Sequence, residues 1–196
     1  MSRRILPARP RSNKKIESTA LTIVKELQPK VLSGDERFDI ERFFDCYLED
    51  LTGVVTDYRK LDDGIYGYTD SEEMVCVISV DLAEDPYQEF FCRSTTAHEC
   101  GHATLNVKDY RLMKTVLRSI HGKDHQLRMY REKDIITYRN PEWQAWRFAG
   151  ALLMPAPAFV KSVDGGCGIK DLSKIFGVNP AFVRTRAKQL KLKLPK

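Results

Sequence analysis

The sequence has no apolar stretch approaching the roughly 20 residues needed to span a bilayer. Its longest, from Phe148 to Val160, is broken by Pro155 and Pro157, so a membrane-spanning protein is not expected. The N-terminus is basic, but no apolar run follows it, which argues against a secretory signal. Cysteine is sparse and has no paired spacing. The five residues Cys46, Cys76, Cys92, Cys100 and Cys167 are odd in number and scattered, without a C-x-x-C motif. A disulfide framework is therefore not expected, and reduced thiols in a cytoplasm fit better. Acidic side chains are missing from both ends: residues 1–15 carry Arg3, Arg4, Arg9, Arg11, Lys14 and Lys15 with no acid, and nothing acidic follows Asp171. The overall surplus, 32 Lys and Arg against 27 Asp and Glu, is too small to indicate nucleic-acid binding, and solvated charge is the ordinary reading of such ends.

What is present supports a core. Hydrophobic residues make up 42% of the chain and aromatics 10%, enough to exclude wholesale disorder in a domain of this length. Residues 1–13, with Pro7, Pro10 and Ser12, read as a flexible basic arm. Apolar residues recur at helical spacing from Lys14 to about Leu27 and from about Asp39 to Leu51, with Gly53 as a stop. The period then changes. Val54-Val55, Gly64 to Tyr68 and Met74 to Val80 read as short strands, the last two joined by a turn at Asp70-Ser71-Glu72. Pro86 opens a helix expected to run to about Leu105. Lys108 to Arg139 is polar, charged and without a clear element. Asn140-Pro141 pairs a cap with a helix-opening proline, and that helix should end before Pro155. The whole reads as an α+β fold with N-terminal helices and a small antiparallel sheet. Its main domain is expected over 14–160, with a C-terminal helical segment over 161–196.

The chemistry centres on His98-Glu99-Cys100-Gly101-His102, an H-E-x-x-H pattern. Two histidines four apart lie one helical turn apart on one face, where both imidazoles can bind a single Zn²⁺. Glu99 is rotated about 100° from His98, placed to act as base toward a water that the metal acidifies. Cys100 points away from the histidine face and reads as buried filling. Catalytic zinc ordinarily has three protein ligands. The extended form of the motif would need Gly at 105 and His at 108, but the chain has Leu105 and Lys108. Asp109 is one residue late for the aspartate form. Glu142, in the first turn of the helix that Asn140-Pro141 opens, suits either a third ligand or an ordinary charge at a helix N-terminus. The residues alone leave both readings open.

Two segments together resemble the ImmA/IrrE family of metallopeptidases. Arg93-Ser94-Thr95-Thr96-Ala97-His98-Glu99-Cys100-Gly101-His102 is similar to the family signature R-F-T-x-A-H-E-x-G-H. Glu142-Trp143-Gln144-Ala145-Trp146-Arg147-Phe148-Ala149, continued by Leu152-Leu153-Met154-Pro155, is similar to E-x-x-A-N-x-F-A-x-x-L-L-M-P. Ser94 and Trp146 depart from the usual phenylalanine and asparagine, and the link from His102 to Glu142 is longer than usual. The resemblance implies a compact zincin-like domain of the gluzincin type. It implies one zinc held by His98, His102 and Glu142, with Glu99 as catalytic base. It also implies an endopeptidase acting on a helix-turn-helix transcriptional repressor to release mobile-element or stress genes.

Several further candidates stand beside this reading. His121 and His125 are also four apart, but Gly122 and the neighbouring Arg118, Lys123 and Arg128 favour solvated histidines over a second metal site. His121, His125, Tyr130 and Tyr138 are each candidates for stabilising the oxyanion of a tetrahedral intermediate, a role such a site needs. Asp171 to Val183 reads as a helix, a turn at Gly177 and a second helix capped by Asn179. With Arg184, Arg186 and Lys188 this pattern allows DNA binding, though packing on the main domain is preferred. The rival functions are a zinc-scaffolded regulator and an antitoxin-like binding protein, neither of which cleaves anything.

Overall fold

A computed structural model describes residues 4–122 and 128–195; His125 lies outside them. The first helix, α1 (Asn13–Leu27), is capped by Ser12, whose side chain accepts from the Lys15 N–H, and it buries Ile16, Ala20, Ile23 and Val24. The second expected helix is two: α2 (Ile40–Cys46) and α3 (Leu48–Thr52) are separated by Tyr47 in a non-helical conformation. That one-residue break shifts the phase of the turn after it. Leu48 and Thr52 are buried and Leu51, expected in the core, is 48% exposed. Gly53 ends α3 at φ 73, a conformation that costs glycine little.

The sheet is a correction to the antiparallel expectation. Counting the short N-terminal strand β1 (Arg4–Ile5) first, its members are β2 (Val55–Arg59), β3 (Gly67–Asp70) and β4 (Val75–Ser79), in the order β2-β4-β3. The β3–β4 pair is an antiparallel hairpin closed by the Asp70 side chain, which accepts from the Glu72 and Glu73 N–H groups. The β2–β4 pair is parallel, with Val55 opposite Val75 and Arg59 opposite Ser79. Alternation within each strand reveals that strands exist, but it carries no information on which edge of β4 the earlier strand joins.

After β4 come a short helix, α4 (Val80–Ala83), and a 3₁₀ turn, Pro86–Gln88, which lead into α5 (Glu89–His102). A π-helical turn, Ala103–Val107, joins α5 directly to α6 (Lys108–His121). The unassigned polar stretch thus begins as a helix. Leu112, Met113, Val116, Leu117 and Ile120 recur along it at helical spacing, although no residue of α6 is buried. The remaining elements are β5 (Tyr130–Arg131), α7 (Pro141–Leu153), α8 (Ala156–Asp164), α9 (Ile169–Phe176) and α10 (Pro180–Gln189). Asn140 caps α7 by accepting from the Trp143 N–H at 3.1 Å. No helix among the described residues is long and apolar enough to cross a membrane.

The N-terminal segment from residue 4 is not a free arm. Strand β1 pairs antiparallel with β5, and Ile5 and Ala8 are buried. Ala8 N–H donates to the Arg139 carbonyl, Gln144 donates to the Arg9 carbonyl, and Arg11 pairs with Asp109 at 2.6 Å. Polar composition suggested flexibility, yet backbone pairing and these side-chain bonds satisfy the segment without a large apolar surface.

At the other end, α8 runs across the expected boundary at 160–161. One apolar cluster takes in Phe43 and Phe148 together with Phe159, Leu172, Phe176, Val178 and Val183. The turn at Gly177 (φ 61) is filled by two arginines. Arg93 donates to the carbonyls of Gly177 and Phe38, and Arg37 to those of Lys174 and Ile175, so cations satisfy the last carbonyls of α9. Arg186, one of the basic residues of α10, is wholly buried. It donates to the Met154 carbonyl at 2.9 Å and bidentately to Glu17. Arg186→Ala should cost about 3 kcal/mol of unfolding free energy, since it strands Glu17 and a buried carbonyl. The exposed Arg184→Ala should change it by less than about 0.5 kcal/mol. Urea titrations of the two variants check the contrast.

Candidate metal centre

Helix α5 carries His98 and His102 on the face turned to α7, and the two helices meet at Gly101. A Cβ at that position would lie 3.0 Å from both Cα and the carbonyl oxygen of Ala145, so only glycine admits α7 this close. One turn before Ala145, Glu142 reaches both imidazoles from the first turn of α7. The Nε2 atoms of His98 and His102 are 3.1 Å apart, and Glu142 places its oxygens 3.3 Å from the first and 3.7 Å from the second. A tetrahedral zinc with bonds of about 2.0–2.1 Å would hold its ligand atoms about 3.3 Å from one another. The observed donor set brackets that spacing, and its composition, two imidazoles and one carboxylate, suits zinc. These three residues form a group that could hold a metal ion.

The electrostatics fit the same use. Burial opposes ionisation of Glu142, but the hydrogen bonds and charge of His102 and His98 outweigh it and hold the carboxyl well below its usual range. Burial likewise works against a charged His102, and the carboxylates of Glu142 and Glu99 more than offset it, leaving its pKa raised. The carboxylate of Glu142 is thereby kept ionised beside the two imidazoles, as a cation-binding group requires. His98 Nδ1 is buried without a hydrogen-bond partner among the described residues.

Glu99 stands beside this group and outside it. Its carboxylate is buried and accepts a 2.8 Å hydrogen bond from the Thr69 hydroxyl on β3. On the same strand, a Cβ at Gly67 would come within 3.0 Å of Glu99 Cγ. Neither Thr69 nor Gly67 was singled out from the sequence, because both act across a separation of about thirty residues with no motif of their own. Trp146, one turn beyond Glu142, lays its indole 4.2 Å from the His98 ring and walls that side of the site. Cys100 is fully buried, as its position on the helix implied.

His98, Glu99, His102 and Glu142 open on a cleft of ≈ 390 Å³ that Thr69, Tyr110 and residues 4–6 also line. Of the four residues considered for oxyanion stabilisation, His121, Tyr130 and Tyr138 lie at the surface and line no part of the cleft. His125 is outside the described residues. Two other tyrosines do line the cleft: Tyr68, whose hydroxyl accepts from Arg59 at 3.2 Å, and Tyr110, whose burial raises its pKa. Tyr110 escaped notice because of the π turn. Eight residues of regular helix would rotate Tyr110 about 80° from His102, but a π turn absorbs one extra residue and brings the two within about 20°. Asp109, the alternative third ligand, is instead engaged by Arg11 and Arg9.

Comparison with family models and with curated proteins returned no match. Among solved structures, a Mycobacterium tuberculosis transcriptional regulator aligns with 89% of this chain at 17% identity and a TM-score of 0.58. This chain spans 46% of that protein's length, and at such identity the likeness is one of fold.

Purified protein given excess zinc should retain about one ion per chain. Glu142→Ala should weaken that binding by at least about tenfold, since it removes one of three ligands. Glu132→Ala, on the 3₁₀ turn Glu132–Asp134, should leave it unchanged. Metal analysis after dialysis, with the zinc affinity from competition against a chelator, provides the check.

Proposed function

We propose that the chain is a zinc-dependent endopeptidase with a zincin-like fold of the ImmA/IrrE type. The observation that carries the proposal is the placement of Glu99: buried, held by Thr69, and adjacent to a three-residue ligand group that it does not join. A purely structural zinc site has no use for a carboxylate so positioned. His98, His102 and Glu142 would hold the ion, which supplies Lewis acidity toward a water and a carbonyl oxygen. Glu99 accepts a proton from the water as its oxygen bonds to the peptide carbonyl carbon. Glu99 then returns that proton to the departing amide nitrogen as the C–N bond breaks, so that one water is consumed and an acid and an amine result. Thr69 and Gly67 keep the carboxylate on the cleft side of its helix, and Trp146 restricts access to His98.

The substrate we propose, by family resemblance, is a helix-turn-helix repressor in the cytoplasm, cleaved to release mobile-element or stress genes. Five cysteines without disulfides are compatible with that compartment. The name of the structural neighbour, a transcriptional regulator, accords with a role in gene control. It also favours a second reading, in which the metal centre scaffolds a regulator that cleaves nothing.

Glu99→Gln separates the two. The substitution preserves shape and the Thr69 contact but abolishes proton acceptance. Cleavage of the cognate repressor by the zinc-loaded variant should fall by about 10² or more, with zinc content unchanged. Wild-type cleavage rates in the variant would remove Glu99 from the mechanism. Undiminished gene induction in cells, with no cleavage by either protein, would establish the scaffold instead.

A further inference from the structure

Among the described residues lining the cleft is a half-buried phenol that the ligand group and its base leave unused. Tyr110 enters the cleft from the first turn of α6, and its hydroxyl donates a 2.8 Å hydrogen bond to the backbone carbonyl of Leu6. Leu6 belongs to the N-terminal segment that runs through this cleft beside His98, Glu99, His102 and Glu142. The phenol is thus already bound to a peptide carbonyl at the wall of the cleft. Its position depends on the π turn Ala103–Val107, a departure from regular helix inserted directly after His102. Such turns are costly and occur disproportionately at functional sites.

Resting on the peptidase reading, we propose that Tyr110 is a catalytic residue that donates a hydrogen bond to the carbonyl oxygen of the scissile peptide and retains it as that oxygen gains negative charge. In the resting chain the Leu6 carbonyl is the acceptor that this phenol holds at the cleft wall. A hydrogen bond to a charged acceptor contributes about 1.5–3 kcal/mol, against about 0.5–1.5 for a neutral one. The contact therefore favours the tetrahedral state over the bound peptide, as catalysis requires. The ligand class is a peptide backbone in extended form, and the group recognised is its carbonyl.

The test uses the full zinc-loaded chain and a leucyl peptide phosphonate, whose charged tetrahedral phosphorus imitates the carbonyl carbon under attack. Binding is measured by calorimetry for the wild type, Tyr110→Phe and Tyr138→Phe, with zinc content determined for each. The proposal predicts at least about tenfold weaker binding in Tyr110→Phe, at unchanged zinc content, and no change in Tyr138→Phe. Equal affinity in Tyr110→Phe and wild type overturns the role of Tyr110 and leaves the peptidase reading standing. Loss of zinc in parallel with loss of phosphonate binding also overturns it, because Tyr110 would then act only through the fold of the site. A wild-type zinc protein that ignores the phosphonate removes the peptidase reading itself, and this proposal with it.

Discussion

The close crossing of α5 and α7 at Gly101 is the constraint from which the site follows. With no side chain at 101, the backbone at Ala145 sits where any Cβ would collide. The first turn of α7 is thereby brought against the one-turn spacing of His98 and His102. Glu142 lies three residues before Ala145, so it rides on the same face and arrives at both imidazoles together. Pushing the helices apart by the width of a methyl group would stretch contacts of 3.3 and 3.7 Å beyond what one small cation can bridge. Glycine inside a helix costs up to about 1 kcal/mol, and here that cost brings Glu142 against both imidazoles.

Around this pair the molecule commits many of its charged side chains to holding backbone in place. Arg93 and Arg37 satisfy carbonyls at the end of α9, and Arg186 joins α10 to the end of α7 and to Glu17 on α1. The acid-free C-terminal segment reads from composition as solvated charge, while its helix-turn-helix pattern favours packing on the main domain over DNA binding. Its most buried cation is an internal anchor, while Arg184 and Lys188 remain outside. Net charge describes what a segment contains and is silent on which way each side chain points.

Much of the fold and half of the site were legible because the deciding interactions are local. The H-E-x-x-H spacing, the Asn140 cap and the glycine stops at 53 and 177 all act within one or two helical turns. What stayed hidden depends on partners distant in sequence or on small changes of phase. The parallel pairing of β2 with β4, the Thr69 bond to Glu99 and the docking of residues 4–11 are long-range. Leu51 turned outward through a single non-helical residue, Tyr47, and Tyr110 turned inward through a single π turn. Glu142 lay between these cases: its helix was readable from Asn140-Pro141, but its proximity to the histidines required the crossing at Gly101.

The central claim is that one metal ion is held by His98, His102 and Glu142. X-ray absorption at the zinc edge of the metal-loaded protein tests it most directly. The account predicts only nitrogen and oxygen neighbours at about 2.0–2.1 Å, with the outer-shell scattering of two imidazoles. A sulfur neighbour at about 2.3 Å, as a cysteine thiolate would give, or a shell lacking imidazole would contradict it.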